Sequence, residues 1–300
     1  MQYHVIWNGG SGKSLQIEQL RRLLVDVPTR WTEMQRDVDL HQCIAASECQ
    51  TVIAAGGDGT VNAVVNAMMK IDIASRPNLA VIPLGTANDF AGTLGISDEI
   101  NLAVAEMRHS EPIRMDVVKV FAENYQRWFA NVAAGGNCVR VSEEMTDEIK
   151  QRWGALSYVR GAISVLADMN SYRVRIDIDG DQIEMDSWAI LIANGRTNAG
   201  RIEVAPLAST DDGLLDVVLI KDGNVMDMVE IVAGNLSGSF EQCDQVIYRQ
   251  AKCVELQSSP PMRFTMDGEI VDEEPIRFCI EPAAIAMYVG RDGSIRRDGD

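Results

Sequence analysis

Apolar residues in the first third of the chain fall into short continuous runs separated by helix-spaced stretches. Val5-Ile6-Trp7, Thr51-Val52-Ile53-Ala54-Ala55 and Leu79-Ala80-Val81-Ile82 each read as a buried strand. Between the first two, Leu20, Leu23, Leu24 and Val27 recur at helical spacing up to Pro28. Residues 40–46 form a second helix that Asp37 or Asp39 can cap. Val61, Val64, Val65, Met68 and Met69 mark a third helix. This strand–helix rhythm predicts a parallel sheet covered by helices on both faces. After about residue 112 the pattern changes. Arg173 to Asp179 alternates strictly and meets Gly180-Asp181, a hairpin signal. Residues 214–220, 263–266 and 275–280 are also strand-like, and helix-like stretches at 142–167 and 225–236 interrupt them. The expected architecture is an α/β domain over residues 1–115 and an antiparallel β domain over 116–300, with a cleft between them. Residues 291–300 read as a polar tail.

The loops after these first strands carry the candidate chemistry. Gly56-Gly57-Asp58-Gly59-Thr60 joins a strand to a helix. Glycines there let main-chain N–H groups approach a ligand, and the helix N-terminus favours a phosphate. Asp58 can then hold a phosphate-bound Mg²⁺, directly or through water. A tight turn that needs glycine only for geometry is the plain alternative. Residues 83–91, Pro-Leu-Gly-Thr-Ala-Asn-Asp-Phe-Ala, follow the next strand. The two loops should lie side by side at the carboxyl edge of the sheet, where open α/β folds bind ligands. A third loop, Asn8 to Ser14, approaches the P-loop pattern but has Trp7 where that pattern needs glycine.

These residues resemble the diacylglycerol-kinase catalytic-domain family, and most closely its bacterial YegS-type lipid kinases. The family's leading Asn-Pro-x-Ser-Gly-Lys is similar to residues 8–13, with Gly9 in place of proline. Its Gly-Gly-Asp-Gly-Thr-x-Asn-Glu is similar to residues 56–63, with Asn62 kept and Ala63 in place of glutamate. Residues 83–91 match its third motif in full, and Asp212-Gly213-Leu214-Leu215-Asp216 and Asp267-Gly268-Glu269 resemble two downstream acidic motifs. The first acidic loop alone is shared with NAD kinases and phosphofructokinases; all five in order are specific. The resemblance implies an N-terminal Rossmann-like domain followed by an antiparallel β-sandwich, with the last strand returning to the first domain.

The same resemblance implies an ATP- and Mg²⁺-dependent transfer of the γ-phosphoryl group to a hydroxyl of a diacylglycerol or glycerophospholipid. Nucleotide binding then falls to Asn8, Gly12, Lys13, Thr32, Gly56, Gly57, Asp58, Gly59, Thr60, Asn62, Gly85, Thr86 and Asn88. Asp58 and Asp89 serve the reaction, and Glu269 inherits the role of general base. Helix capping is the plain alternative for Asn88 and Asp89, and Asp267-Gly268 is a turn signal in its own right. A second Mg²⁺ is assigned to Asp212 with the carbonyls of Ser209 and Leu214. Arg201 stands where relatives carry a run of glycines. A kinase for a soluble acceptor such as NAD, and a nucleotide sensor without turnover, are the alternatives.

Composition narrows the partners. The 300 residues are 46% apolar and 24% charged, as in a globular protein with a sizeable core. With 44 acidic against 27 basic side chains, the net charge of −17 argues against nucleic-acid binding. The six cysteines show no metal or disulfide spacing, which predicts buried free thiols and a reducing, cytoplasmic setting. No signal-peptide pattern and no apolar run of membrane-spanning length is present, so contact with lipid is expected to be peripheral and transient. Lys150, Trp153, Ser157 and Arg160 share one face of the expected 142–167 helix, the candidate docking surface.

Overall fold

The computed structural model describes residues 2–9, 14–138, 169–198, 202–266 and 269–290. Its first body is a parallel sheet in the order β2 (Thr29–Glu33), β1 (Tyr3–Trp7), β3 (Thr51–Gly56) and β4 (Asn78–Pro83). In-register pairing sets Tyr3 beside Thr29 and Thr51, and Thr51 beside Asn78. All six residues of β3 are buried, as a parallel strand covered on both faces requires. The covering helices are α1 (Ser14–Leu23), α2 (Leu40–Ala45), α3 (Asp58–Met68), α4 (Asp89–Thr93) and α5 (Ile100–His109). Asp39 caps α2 by accepting the amide of Gln42 at 3.2 Å.

The second body is antiparallel, a β-sandwich. Its longer strands are β5 (Ile113–Ala122), β6 (Tyr125–Phe129), β7 (Val132–Gly136), β8 (Tyr172–Ile178) and β9 (Asp181–Ala193). After the small β10–β11 hairpin (Thr197–Asn198, Ile202–Glu203) come β12 (Leu215–Lys221), β13 (Val246–Ala251) and β14 (Cys253–Ser259). The short β15 (Phe264–Met266) and β16 (Glu269–Val271) precede the long β17 (Ile276–Met287). The alternation read in the sequence is the pleat of β8: Tyr172, Val174, Ile176 and Ile178 are buried while Arg173 and Arg175 face solvent. Left-handed Asp179 (φ 50°) and Gly180 (φ 97°) form the turn into β9. Phe129, Phe264 and Phe278 sit at the centre of the sandwich core, with Phe278 making edge and tilted ring contacts to the other two. On the far side of β9 and β12, α6 (Val225–Ser237) contributes Ile231 to a second apolar layer with Trp188 and Val218.

One strand belongs to both bodies. β17 pairs antiparallel with β14 and β5, then runs parallel to β4 through Met287 and Leu79. Its pairing with β5 slips between Glu281 and Ile285, and Ala283 there adopts φ 52°. This bulge re-aims the strand from the sandwich towards the parallel sheet. Arg76 braces it: its guanidinium bonds the carbonyls of Met68 and Ile71 at the end of α3 and that of Ala284 in the bulge.

Not all six cysteines are the free thiols expected from their spacing. Cys253 and Cys279 form a disulfide. The β14–β17 register sets them directly opposite each other. Sequence spacing does not reveal a cross-strand partner, because it depends on which strands become neighbours. Cys43, Cys49 and Cys138 are free and partly buried, and Cys243 is free and buried. Burial raises the Cys138 thiol to about 11. No described helix is long and apolar enough to cross a membrane.

Candidate functional site

The register of β3 against β4 sets Gly56 beside Pro83, so the loops leaving both strands emerge together. Leu84 continues the pairing by donating its amide to the Gly56 carbonyl at 2.9 Å. The loops then meet backbone to backbone at Gly57 and Gly85. A Cβ on Gly57 would lie 3.0 Å from the Gly85 Cα, and one on Gly85 would lie 2.5 Å from Asn88 Oδ1. Gly59 faces open space, leaving the start of α3 accessible. Thr60, directly behind, is buried against Gly56. Bare main chain at a helix N-terminus is a fitting cradle for a phosphate.

Asp58 begins α3 but acts on α4. Its Oδ1 accepts the amide of Phe90 at 3.0 Å and its Oδ2 that of Asp89 at 3.2 Å. The residue in the N-cap position of α4, Asn88, is left-handed (φ 53°, ψ 43°) and makes no capping bond with its side chain. Its amide nitrogen instead donates to the Gly85 carbonyl at 3.2 Å. Asn88 Oδ1 is thereby left buried and unpartnered at the contact of the two glycine loops. A buried acceptor without a donor is costly, so this oxygen is placed to accept from a donor on a bound ligand. Asp89 is buried and Thr86 exposed at the same edge, where Asn8 follows the last residue of β1.

Other expected residues lie apart from this corner. Thr32 bonds its hydroxyl to Nε2 of the fully buried His4 at 2.9 Å, one step down the sheet. Asn62 is buried in α3, its Oδ1 accepting from Asn66 at 2.8 Å. Gly12 and Lys13 lie outside the described residues, as do Asp267, Gly268, Arg201 and the stretch 142–167 expected to be helical, with Lys150, Trp153, Ser157 and Arg160. Glu269 opens β16, paired with Met266 of β15, which in turn pairs with β7.

The Asp212 loop is held by a residue that sequence reasoning missed. Asp116, buried in β5, lies opposite the β17 bulge. It accepts the Ala283 amide at Oδ1 and the Gly213 amide at Oδ2, both at 2.7 Å. Burial raises its carboxyl above the usual range; those two amides oppose the shift, and the charges of Asp212 and Asp211 add to it. Asp212 Oδ1 accepts the Leu214 amide at 3.0 Å, and the Ser209 hydroxyl donates to Asp211 at 2.7 Å. Mutually repelling carboxylates around a left-handed Gly213 (φ 74°) suit a hard cation. Among the described residues no three His, Cys, Asp or Glu side chains converge as metal ligands, so main-chain oxygens must complete any such site. The signal for Asp116 was a lone acid inside the apolar run Met115 to Val118.

Two family models cover this architecture. Residues 2–120 match the diacylglycerol kinase catalytic domain, and residues 130–289 match the YegS C-terminal NAD kinase beta sandwich-like domain. The chain belongs to the diacylglycerol kinase family. Among its relatives, the diacylglycerol kinase of Staphylococcus aureus (strain JH9) is 31% identical over 96% of this chain and 92% of its own length. That of Staphylococcus carnosus (strain TM300) is 29% identical over 96% and 95%. A solved Bacillus anthracis (strain Sterne) structure shares the fold with a TM-score of 0.79, at 23% identity over 97% of this chain and 95% of its own. A crystal structure of a diacylglycerol kinase from the same strain gives 0.73, at 21% identity over 97% of both chains. The two-body fold is therefore the family's fold, and its relatives are kinases by name.

Proposed function

We propose that this family member is a lipid kinase that transfers the γ-phosphoryl group of ATP to a hydroxyl of a diacylglycerol or glycerophospholipid, with Mg²⁺. The observation that carries the reading is the contact of the Gly57 and Gly85 loops, with the unpartnered Asn88 Oδ1 at their seam. Phosphoryl transfer relies on positioned phosphates and neutralised charge more than on covalent chemistry. The bare main chain at Gly57, Gly59 and Gly85 receives phosphate oxygens, Thr60 closes the back of the corner, and Thr86 and Asn8 border the nucleotide. Mg²⁺, when bound, offsets the negative charge shared between phosphate oxygens. Asp58, only partly buried and already anchored by two amides, is the residue to hold it. Asp89 stands beside it. Glu269, carried on β16 of the sandwich, is the general base that takes the proton from the attacking hydroxyl.

Asp212, with the carbonyls of Ser209 and Leu214, is proposed to hold a second cation that braces the loop against Asp116. Since the acceptor is a lipid, the protein works at a membrane surface through peripheral contact. The test is incubation with labelled ATP and Mg²⁺ in the presence of diacylglycerol-containing vesicles, phosphatidylglycerol vesicles or NAD. Label is expected in the lipid phase of a vesicle arm. Label on NAD, or none in either lipid, overturns the reading.

A further inference from the structure

Helix α4 belongs to the first body by sequence, yet its last residue is gripped by the second. Thr93 is 1% exposed, and its hydroxyl donates to Asn131 Oδ1 at 2.9 Å. Asn131, 3% exposed between β6 and β7, uses every polar atom of its side chain and its carbonyl. Its Nδ2 donates to the Thr197 carbonyl at 2.8 Å, and its main-chain oxygen accepts the amides of Asn194 and Gly195 at 2.8 and 3.0 Å. Thr197 closes the ring, donating its hydroxyl to the Asp89 carbonyl at 3.2 Å. Gly195 is required at this point, because a Cβ there would strike both Asn131 Oδ1 and the Thr93 side chain. A five-residue helix cannot hold its own orientation, since a single turn is unstable without tertiary contacts.

We propose that Asn131 is a positioning residue: it orients α4 from the sandwich side, so that the Asp89 and Phe90 amides meet Asp58 at the phosphate corner. Two anchors fix the helix. Asp58 holds its N-terminal amides from the first body, and Asn131 with Thr197 holds its other end and its first carbonyl from the second. Removing the second anchor leaves Asp58 with nothing rigid to bind, and its carboxylate then leaves the productive geometry. The consequence for turnover rests on the kinase reading, whereas the consequence for the α4 amides does not.

The test uses the full chain carrying Thr93→Val, which keeps the side-chain shape, or Asn131→Asp, which keeps the Thr93 acceptor but replaces the donor to Thr197. Thr93→Ser is the rescue. Hydrogen exchange is read at the Asp89 and Phe90 amides, and kcat and KM for ATP are measured well below the thermal midpoint. Exchange at these two amides is expected to rise about tenfold or more in both variants while β3 and β4 stay protected. Turnover should fall about 10- to 10²-fold, the cost of a small misplacement, and Thr93→Ser should restore both readouts. A role in stability alone would lower the thermal midpoint and leave the local exchange and kcat unchanged; that result overturns the proposal. If neither lipid accepts phosphate from the wild type, the functional reading fails and the exchange measurement still decides the role of Asn131.

Discussion

The Asp58 carboxylate caps a helix that begins 31 residues later, accepting the Phe90 amide at 3.0 Å and the Asp89 amide at 3.2 Å. Two of the five motifs that carry the family resemblance are thus one hydrogen-bonded unit. Their adjacency follows from parallel pairing of β3 and β4, which puts both strand ends at one edge. An acid at a helix N-terminus is worth about 1 kcal/mol as a cap, and Asp58 supplies it in trans.

Asp58→Asn is therefore expected to lose more than a metal ligand. An asparagine keeps one acceptor, but its amide nitrogen would face a main-chain N–H. Phosphoryl transfer should fall by about 10² or more, and α4 should lose about 1 kcal/mol of local stability. Turnover assays at saturating Mg²⁺, with amide exchange at Asp89 and Phe90, check both. Activity within a few-fold of wild type counts against the assigned role.

Glu269→Gln should leave ATP affinity near the wild-type value and lower kcat by about 10² to 10⁴, the usual loss on removing a general base. Separate measurement of ATP binding and single-turnover rate distinguishes this from a role in binding. A variant that loses affinity and keeps its rate reassigns the residue.

Asp212→Ala should abolish the stabilisation that Mg²⁺ gives the wild-type protein. A cation that binds only the folded state raises stability by about 2.7 kcal/mol at a hundredfold excess over its dissociation constant. Thermal midpoints are compared with Mg²⁺ and with chelator. A wild type indifferent to both contradicts the second cation site.

His4 makes stability depend on pH. Burial, with a smaller contribution from the Arg30 charge, lowers its imidazole to about 4. The folded state thus keeps His4 neutral, whereas the unfolded chain takes up a proton near pH 6.5. Its contribution is fully present above about 6.5 and is lost progressively as pH falls towards 4, by at most about 1.4 kcal/mol per pH unit. His4→Gln, which can still pair with Thr32, should show a flatter denaturation midpoint across that window. An unchanged slope would show that His4 is protonated in the fold without penalty.

Much of the architecture was legible because it is written in local periodicity. Buried runs such as 51–55 and 79–82 became β3 and β4, the alternation at 173–179 became β8, and Asp39 capped α2. Glycine-rich corners were equally visible, since a strand–turn–helix junction places its own residues together without help from distant chain. Side-chain direction was not legible. Thr32 turns to His4 and Asn62 to Asn66, because the register of β1 with β2 and the packing of α3 on β6 decide where each hydroxyl or amide finds a partner.

Contacts between elements far apart in the chain were also absent from any pattern. Asp116 reads as an anomaly in an apolar strand until the bulge of β17 brings Ala283 and the Asp212 loop to it. Cys253 and Cys279 become partners only once β14 lies beside β17, and Asn131 becomes a junction only when α4 and β10 converge on it. Local order follows from steric and hydrophobic preferences over a few residues. Pairing between elements far apart in the chain depends on strand order and register, and only the folded chain settles it.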